Sequence, residues 1–260
     1  MFELVDGNNS YVSCERVFRP SLRGKPVISL SNNDGCAIAR SNEAKALGIK
    51  MGDPWFKIKH LENKAGLIAL SANFALYGDM SNRMMSIAAG LGPTQEIYSI
   101  DESFIGLDGV RGDLVKRSWA IRSRILQWTG LPCGIGIGPT KTLAKLANQI
   151  AKTAERMPGS YPEKLAVICN LAVMPPSEMD AWFAATEVGT QSELDFEATE
   201  MRDRSRLMSA VDTINARFGR GSIHVGSAVG VGERRDWSMK QERLTPQYTT
   251  KWSDMPVVRA

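Results

Sequence analysis

The sequence predicts an α+β fold. Three observations carry that expectation: apolar runs of strand length, longer amphipathic stretches with helical spacing, and the order in which they occur. Phe2 to Val5 is a short buried strand ending at Asp6, and Pro26 to Leu30 is a second, broken by Ser31-Asn32-Asn33-Asp34-Gly35. Residues 41–60 are helical in short pieces, interrupted by Gly48, Gly52 and Pro54. Residues 72–90 form a longer helix with Leu76, Met80, Met84 and Ile87 near one face. Glu96 to Ile100 and Ser103 to Leu107 are two short strands flanking Asp101-Glu102, which places two acids at the turn of a hairpin. Asp113 to Trp128 is an amphipathic helix with Leu114, Ile121, Ile125 and Trp128 inward; Cys133 to Ile137 is a strand, and Thr140 to Lys152 a helix. Strand, insertion, helix, hairpin, helix, strand, helix predicts an antiparallel-rich sheet with helices on one face.

After Gly159 the pattern weakens. Residues 163–188 are apolar and helical in character, with a break at Pro175-Pro176. Residues 190–200 are acidic and read as a linker. Residues 203–218 place Leu207, Val211, Ile214 and Phe218 on one helical face, closed by Gly219, and residues 221–260 are irregular.

Composition bounds the function. No apolar run reaches the roughly 18 residues of a membrane span, and MFELVDGNNS lacks the pattern of a signal peptide, so the expected setting is the cytoplasm with no membrane contact. Cys14, Cys36, Cys133 and Cys169 form no CxxC pair, and with two histidines a Cys/His zinc site is not expected. Charge is uneven. Residues 201–260 carry 11 Lys and Arg against 6 Asp and Glu, whereas the first 200 hold 21 against 22. A basic tail on a near-neutral body permits contact with a polyanion, although a solvated basic surface explains it equally well.

The chemistry centres on Asp6, Asp101 and Glu102. If the hairpin pairs beside the first strand, neighbouring strands lie about 4.8 Å apart and three carboxylates converge at one sheet edge. Divalent cations relieve such repulsion, and oxygen donors of this kind suit Mg²⁺. Two ions about 4 Å apart serve in-line phosphoryl transfer. Spacing alone favours the plainer reading of an acidic turn beside an acidic strand end.

Four ordered motifs shift that balance: Asp6-Gly7-Asn8-Asn9-Ser10-Tyr11, Leu30-Ser31-Asn32-Asn33-Asp34-Gly35-Cys36, Tyr98-Ser99-Ile100-Asp101-Glu102, and Gly134-Ile135-Gly136-Ile137-Gly138-Pro139-Thr140-Lys141. From Met1 to about Lys152 the chain resembles the Y-family translesion DNA polymerases, in their UmuC-like branch. The resemblance implies a palm over residues 1–160 with a small fingers lobe inserted at about 17–70. It implies two Mg²⁺ ions held by Asp6, Asp101, Glu102 and the carbonyl of Gly7. It implies a steric gate at Tyr11 that selects deoxynucleotides, with Lys45 and Lys152 on the incoming triphosphate. Asn42 and Ser10 depart from the family's usual aromatic residues. The implied partners are damaged primer-template DNA, dNTPs and a UmuD-like accessory subunit.

The resemblance breaks near Gly189. Residues 161–189 look like a truncated start of the thumb, no little finger follows, and residues 201–260 resemble the family's extreme C-terminus, an irregular helical tail. At the junction, Gln191-Ser192-Glu193-Leu194-Asp195-Phe196 has the Q-x-x-L-x-F form of a sliding-clamp peptide, in which Gln191, Leu194 and Phe196 make the contact. Three expectations follow. The first is an error-prone translesion polymerase of the SOS response, impaired by the missing middle. The second is a non-catalytic remnant that binds the clamp or other partners through its tail. The third, another two-metal enzyme on a similar sheet such as a nucleotide cyclase, is opposed by Tyr11 and the Ser31–Cys36 motif.

Overall fold

The computed structural model describes residues 1–174, 241–246 and 248–254. Residues 1–174 and 239–260 belong to one compact unit. The clamp-like motif and the helix expected over 203–218 lie outside the described residues.

The main sheet has five strands. β1 (Phe2–Gly7) lies at its centre, between β6 (Glu102–Gly106) and β7 (Cys133–Gly138), with β5 (Thr94–Ile97) and β8 (Ile168–Asn170) at the edges. All pairings are antiparallel except β7 with β8. β5 and β6 are the two arms of the predicted hairpin. A second sheet orders β3 (Ala37–Arg40), β2 (Val27–Leu30) and β4 (Ile68–Ser71), with β2 antiparallel to β3 and parallel to β4. It has its own core of Ile28, Leu30, Ala37, Ala44, Ile49, Ile58, Leu67 and Ala69. The short helices α2 (Asn42–Ala46), α3 (Trp55–Ile58) and α4 (Leu61–Ala65) lie between β3 and β4 in the chain. The α+β class expected from the sequence holds.

The long helices begin where side chains can take up their free N–H groups. Asn73 accepts from Leu76 N at the start of α5 (Phe74–Ala88), Asp113 from Lys116 N at α6 (Leu114–Thr129), and Thr140 from Leu143 N at α7 (Lys141–Arg156). Gly130, at φ 75°, ends α6 in the left-handed region that favours glycine. α1 (Ser10–Phe18) follows directly from β1.

The helices do not share one face of the main sheet, as the sequence predicts. Strand residues alternate sides, so β1 faces two ways. Val5 joins the core built with Leu76, Met80 and Met84 of α5 and Ile121 and Ile125 of α6. Leu4 packs instead with Phe104 and Ala144 of α7. β7 shows why α7 can lie so close. A Cβ on Gly136 would meet Ala144 O at 2.2 Å, and one on Gly138 would meet Ala144 N at 2.6 Å. The alternating glycines of Gly134-Ile135-Gly136-Ile137-Gly138 give one flat side to α7, while Ile135 and Ile137 fill the opposite core.

The sheet also runs past the expected boundary at residue 160. Residues 168–170, expected to be helical, form β8, parallel to β7. α7 is the crossover that a parallel neighbour requires. A run as short as Ile168-Cys169 carries no period that separates strand from helix.

Candidate active site

β1 pairs with β6 so that Asp6 stands opposite Glu102, and Gly7 N donates to the carbonyl of Asp101 at 2.9 Å. The central strand and the hairpin thus bring Asp6, Asp101 and Glu102 to one end of the sheet. A cleft of about 610 Å³ opens there. Asp6, Gly7, Tyr11, Lys45, Asp101, Glu102 and Lys152 all line it. Gln191, Leu194 and Phe196 lie outside the described residues.

α7 supplies counter-charges along one face. Lys152 Nζ lies 2.6 Å from Asp6 Oδ2, Asn148 Nδ2 donates to the same oxygen at 2.8 Å, and Lys145 Nζ donates to Glu102 at 3.1 Å. Residues 145, 148 and 152 follow the i, i+3, i+7 spacing that aligns side chains on a helix. Lys145 and Asn148 were not singled out from the sequence. Their polar character on a helix face directed at the sheet is the signal that marks them.

Asp6 is only 9% exposed. Burial raises its pKa to about 6, the Lys152 ammonium pulls it back, and the nearby charges of Asp101 and Glu102 push it further up. Asp101 accepts from Ser99 Oγ at 2.7 Å. Each carboxylate is therefore turned to its own partner. Among the described residues no three His, Cys, Asp or Glu side chains are grouped closely enough to hold a metal as they stand. The donor set nevertheless fits a hard divalent cation: only oxygens, in an open cleft, with the buried Asp6 carboxylate beside two further acids.

The opposite wall comes from α1 and the second sheet. Tyr11 stacks on Tyr77, with ring centroids 4.5 Å apart and planes 12° from parallel, and meets Phe74 edge-on at 6.1 Å. Asn9 Nδ2 donates to Asn42 Oδ1 at 3.1 Å, and Arg16 pairs with Glu43 at 2.8 Å, so α1 is tied to α2, which carries Lys45. Arg40 adds a further cation to the lining.

Solved structures share this fold. The chain aligns with DinB from Sulfolobus solfataricus at TM-score 0.56 and 23% identity, over 70% of this chain and 50% of that one. It aligns with the insertion ternary complex of Dbh DNA polymerase at TM-score 0.57 and 20% identity, over 86% and 69%. Over the aligned part, the fold is that of these DNA polymerase structures.

Within that class, the chain belongs to the impB/mucB/samB family, which matches residues 5–149. A domain of unknown function, DUF4113, matches residues 205–258. The chain is 53% identical to Protein UmuC of Salmonella typhimurium over 158 residues, 60% of this chain and 37% of that protein. It is 51% identical to Protein ImpB of Salmonella typhimurium over 154 residues, 58% of this chain and 36% of that protein. It is 37% identical to DNA polymerase IV of Picrophilus torridus over 158 residues, 58% and 45%. The chain thus spans little more than a third of the length of its UmuC and ImpB relatives, which fits the loss of a middle section. No helix among the described residues is long and apolar enough to cross a membrane.

Proposed function

We propose that this chain carries the nucleotidyl-transfer centre of an error-prone, UmuC-like translesion polymerase of the cytoplasmic SOS response. Its substrates are dNTPs and damaged primer-template DNA. The observation that carries the reading is one cleft lined by Asp6 of β1, Asp101 of the hairpin turn and Glu102 of β6 together with Lys45 and Lys152 from separate helices. Asp6, Asp101, Glu102 and the Gly7 carbonyl would hold two Mg²⁺ ions, whose chemistry is to activate the primer 3′-OH and stabilise the leaving pyrophosphate. Lys152 neutralises Asp6 until a triphosphate competes for its ammonium. Lys45 and Lys152 then hold the phosphates from two sides. The ring of Tyr11, supported by Tyr77, stands where a ribose 2′-OH would lie.

Much of the affinity for DNA comes from neutralised phosphates and falls steeply with salt. A chain without thumb and little finger has few such contacts. The expected result in primer extension with Mg²⁺ is slow addition of single nucleotides, no processive synthesis and salt-sensitive DNA binding. Asp101→Ala abolishes the addition. Extension that persists in Asp101→Ala overturns the assignment, and robust synthesis by the chain alone overturns the account of its weak grip.

A second reading rests on Gln191-Ser192-Glu193-Leu194-Asp195-Phe196. A clamp-binding peptide there, with a UmuD-like subunit as a further partner, leaves the chain a recruiting role even without synthesis. Leu194 and Phe196 are the apolar anchors of such a motif. A clamp pull-down retains the intact chain and loses a Leu194→Ala/Phe196→Ala double variant; equal retention removes the motif from the reading.

A further inference from the structure

The second matched domain has no assigned function, and part of it is described here. Residues 241–246 lie along the junction where β4 of the small sheet passes into α5. Ser71 N donates to Arg243 O at 3.1 Å and Arg243 N donates to Ser71 Oγ at 2.9 Å, so the segment continues the strand edge at Ser71. Gln241 Nε2 donates to the carbonyl of Ala72 at 3.1 Å. Asn73, the cap of α5, donates through its amide to Thr245 O, Thr245 Oγ1 and Pro246 O at 3.0–3.1 Å. Arg243 pairs with Glu62 of α4 and covers the ring of Trp55 of α3. Tyr248 stacks on Phe18 of α1, centroids 4.7 Å apart. Residues 241–246 and 248 therefore tie the small sheet and its helices α3 and α4 to the start of α5 and to α1.

Its innermost contact points at the cleft. Thr245 is 4% exposed, and its hydroxyl donates to Glu15 Oε1 at 2.8 Å. The same carboxylate oxygen accepts from the Tyr77 hydroxyl at 2.8 Å, and Glu15 is fully buried. Tyr77 in turn carries the stacked ring of Tyr11. Thr245 is thus linked to the cleft wall by two hydrogen bonds and one ring stack. A buried carboxylate with too few donors is costly, so removing the Thr245 hydroxyl leaves Glu15 to rearrange with Tyr77.

We propose that the segment around residues 241–246 is a clasp that joins the small sheet to the start of α5 and to α1, and that Thr245 is a positioning residue which sets the Tyr11 ring through Glu15 and Tyr77. The part played by Tyr11 in choosing the sugar rests on the polymerase reading above; the mechanical linkage does not.

The two are tested separately on the full chain labelled with 3-fluorotyrosine, whose five tyrosines give five fluorine resonances assigned by Tyr→Phe substitution. Thr245→Val removes the hydroxyl while keeping the shape, and is expected to shift the Tyr77 and Tyr11 resonances and leave Tyr98 and Tyr161 in place. Thr245→Ser keeps the hydroxyl and restores both positions. Arg243→Ala loosens the same segment at its outer end without touching Glu15, and is expected to shift the same pair, so the clasp stays testable should Thr245→Val fail to fold. Unmoved Tyr11 and Tyr77 resonances, or a Thr245→Ser variant that shifts them as much as Thr245→Val, overturn the proposal. In the second arm, dTTP and UTP are titrated with Mg²⁺ against the Tyr11 resonance. The preference for dTTP is expected to narrow about fivefold in Thr245→Val, at the low end of couplings between linked sites. An unchanged preference overturns the link to sugar choice. If the unsubstituted chain binds neither nucleotide, the reading of the cleft fails while the fluorine shifts still decide the clasp.

Discussion

Glu3 and Asp6 are buried acids on one strand, and they differ in what surrounds them: Glu3 is enclosed on the α6 side, whereas Asp6, the carboxylate of the proposed site, borders the cleft. Glu3 points to the α6 side of the sheet and is 1% exposed; burial raises its pKa to about 7, opposed by the bond from Ser118 and the charge of Arg117. The Ser118 hydroxyl contacts both Glu3 and the carbonyl of Leu114 at 2.7 Å, yet has one hydrogen to give. Its one hydrogen is shared between the Glu3 carboxylate and that carbonyl. Asp6 points the other way, into the cleft, with two acids and the Lys152 ammonium near it. Burial raises both pKa values, so a raised pKa alone does not identify a reacting group. Asp6 differs in having an opening, a movable cation and further carboxylates of like charge.

The largest expected effect breaks the pair apart in activity. Asp6→Ala lowers single-nucleotide addition by at least about 10²-fold, the scale on which loss of one charge-stabilising group is felt in a closed site. Glu3→Gln leaves addition unchanged, because Glu3 lies on the α6 side of the sheet, away from the cleft, and its amide oxygen still accepts from Ser118. Steady-state primer extension measures both, and a Glu3→Gln chain as inactive as Asp6→Ala would erase the distinction.

The two sides of β7 extend the contrast to packing. Ile135→Ala opens a cavity between the sheet and α5 and α6 and should cost about 2–5 kcal/mol of stability. Gly136→Ala instead forces α7 from the sheet, at about 1–3 kcal/mol. Denaturant unfolding gives both costs. Nucleotide addition then sharpens the contrast: Gly136→Ala displaces Asn148 and Lys152 from Asp6 and should lose more activity than the less stable Ile135→Ala.

The pH dependence of stability compares the two acids, and the Glu3→Gln variant isolates the part due to Glu3. Its folded pKa of about 7 lies above the ordinary 4.5, so the folded chain binds the extra proton between these values. Stability contributed by that proton is therefore complete below about pH 4.5 and lost as pH rises through 7, about 3 kcal/mol in all. Melting temperatures from pH 4.5 to 8 should show a decline that Glu3→Gln flattens. An equal decline in both chains would place the titration elsewhere, and Asp6, whose rise to about 6 gives the same sign over a lower window, is the first alternative.

Much of the main sheet is legible from local pattern. The strand before Asp6, the acidic hairpin and the three long helices follow from runs, periods and caps that a short window contains. The shorter pieces are not. β3 and β8 have three or four residues each, too few to show a period, and their neighbours in space decide them. The split of helices between two faces follows from the alternating glycines of β7, which local reading treats as ordinary strand glycines.

The sequence by itself made Asp6, Asp101 and Glu102 candidates through strand pairing, and added Lys45 and Lys152 only through the family that its four ordered motifs resemble. Only the tertiary structure decided what each charge touches: Lys152 and Asn148 on Asp6, Lys145 on Glu102, and Thr245 on Glu15 across 230 positions of chain. Local propensity records the cost of bending a few neighbouring residues. A contact between distant residues has its free energy in burial and in hydrogen bonds completed only once both partners have left water, and no short stretch of sequence contains both.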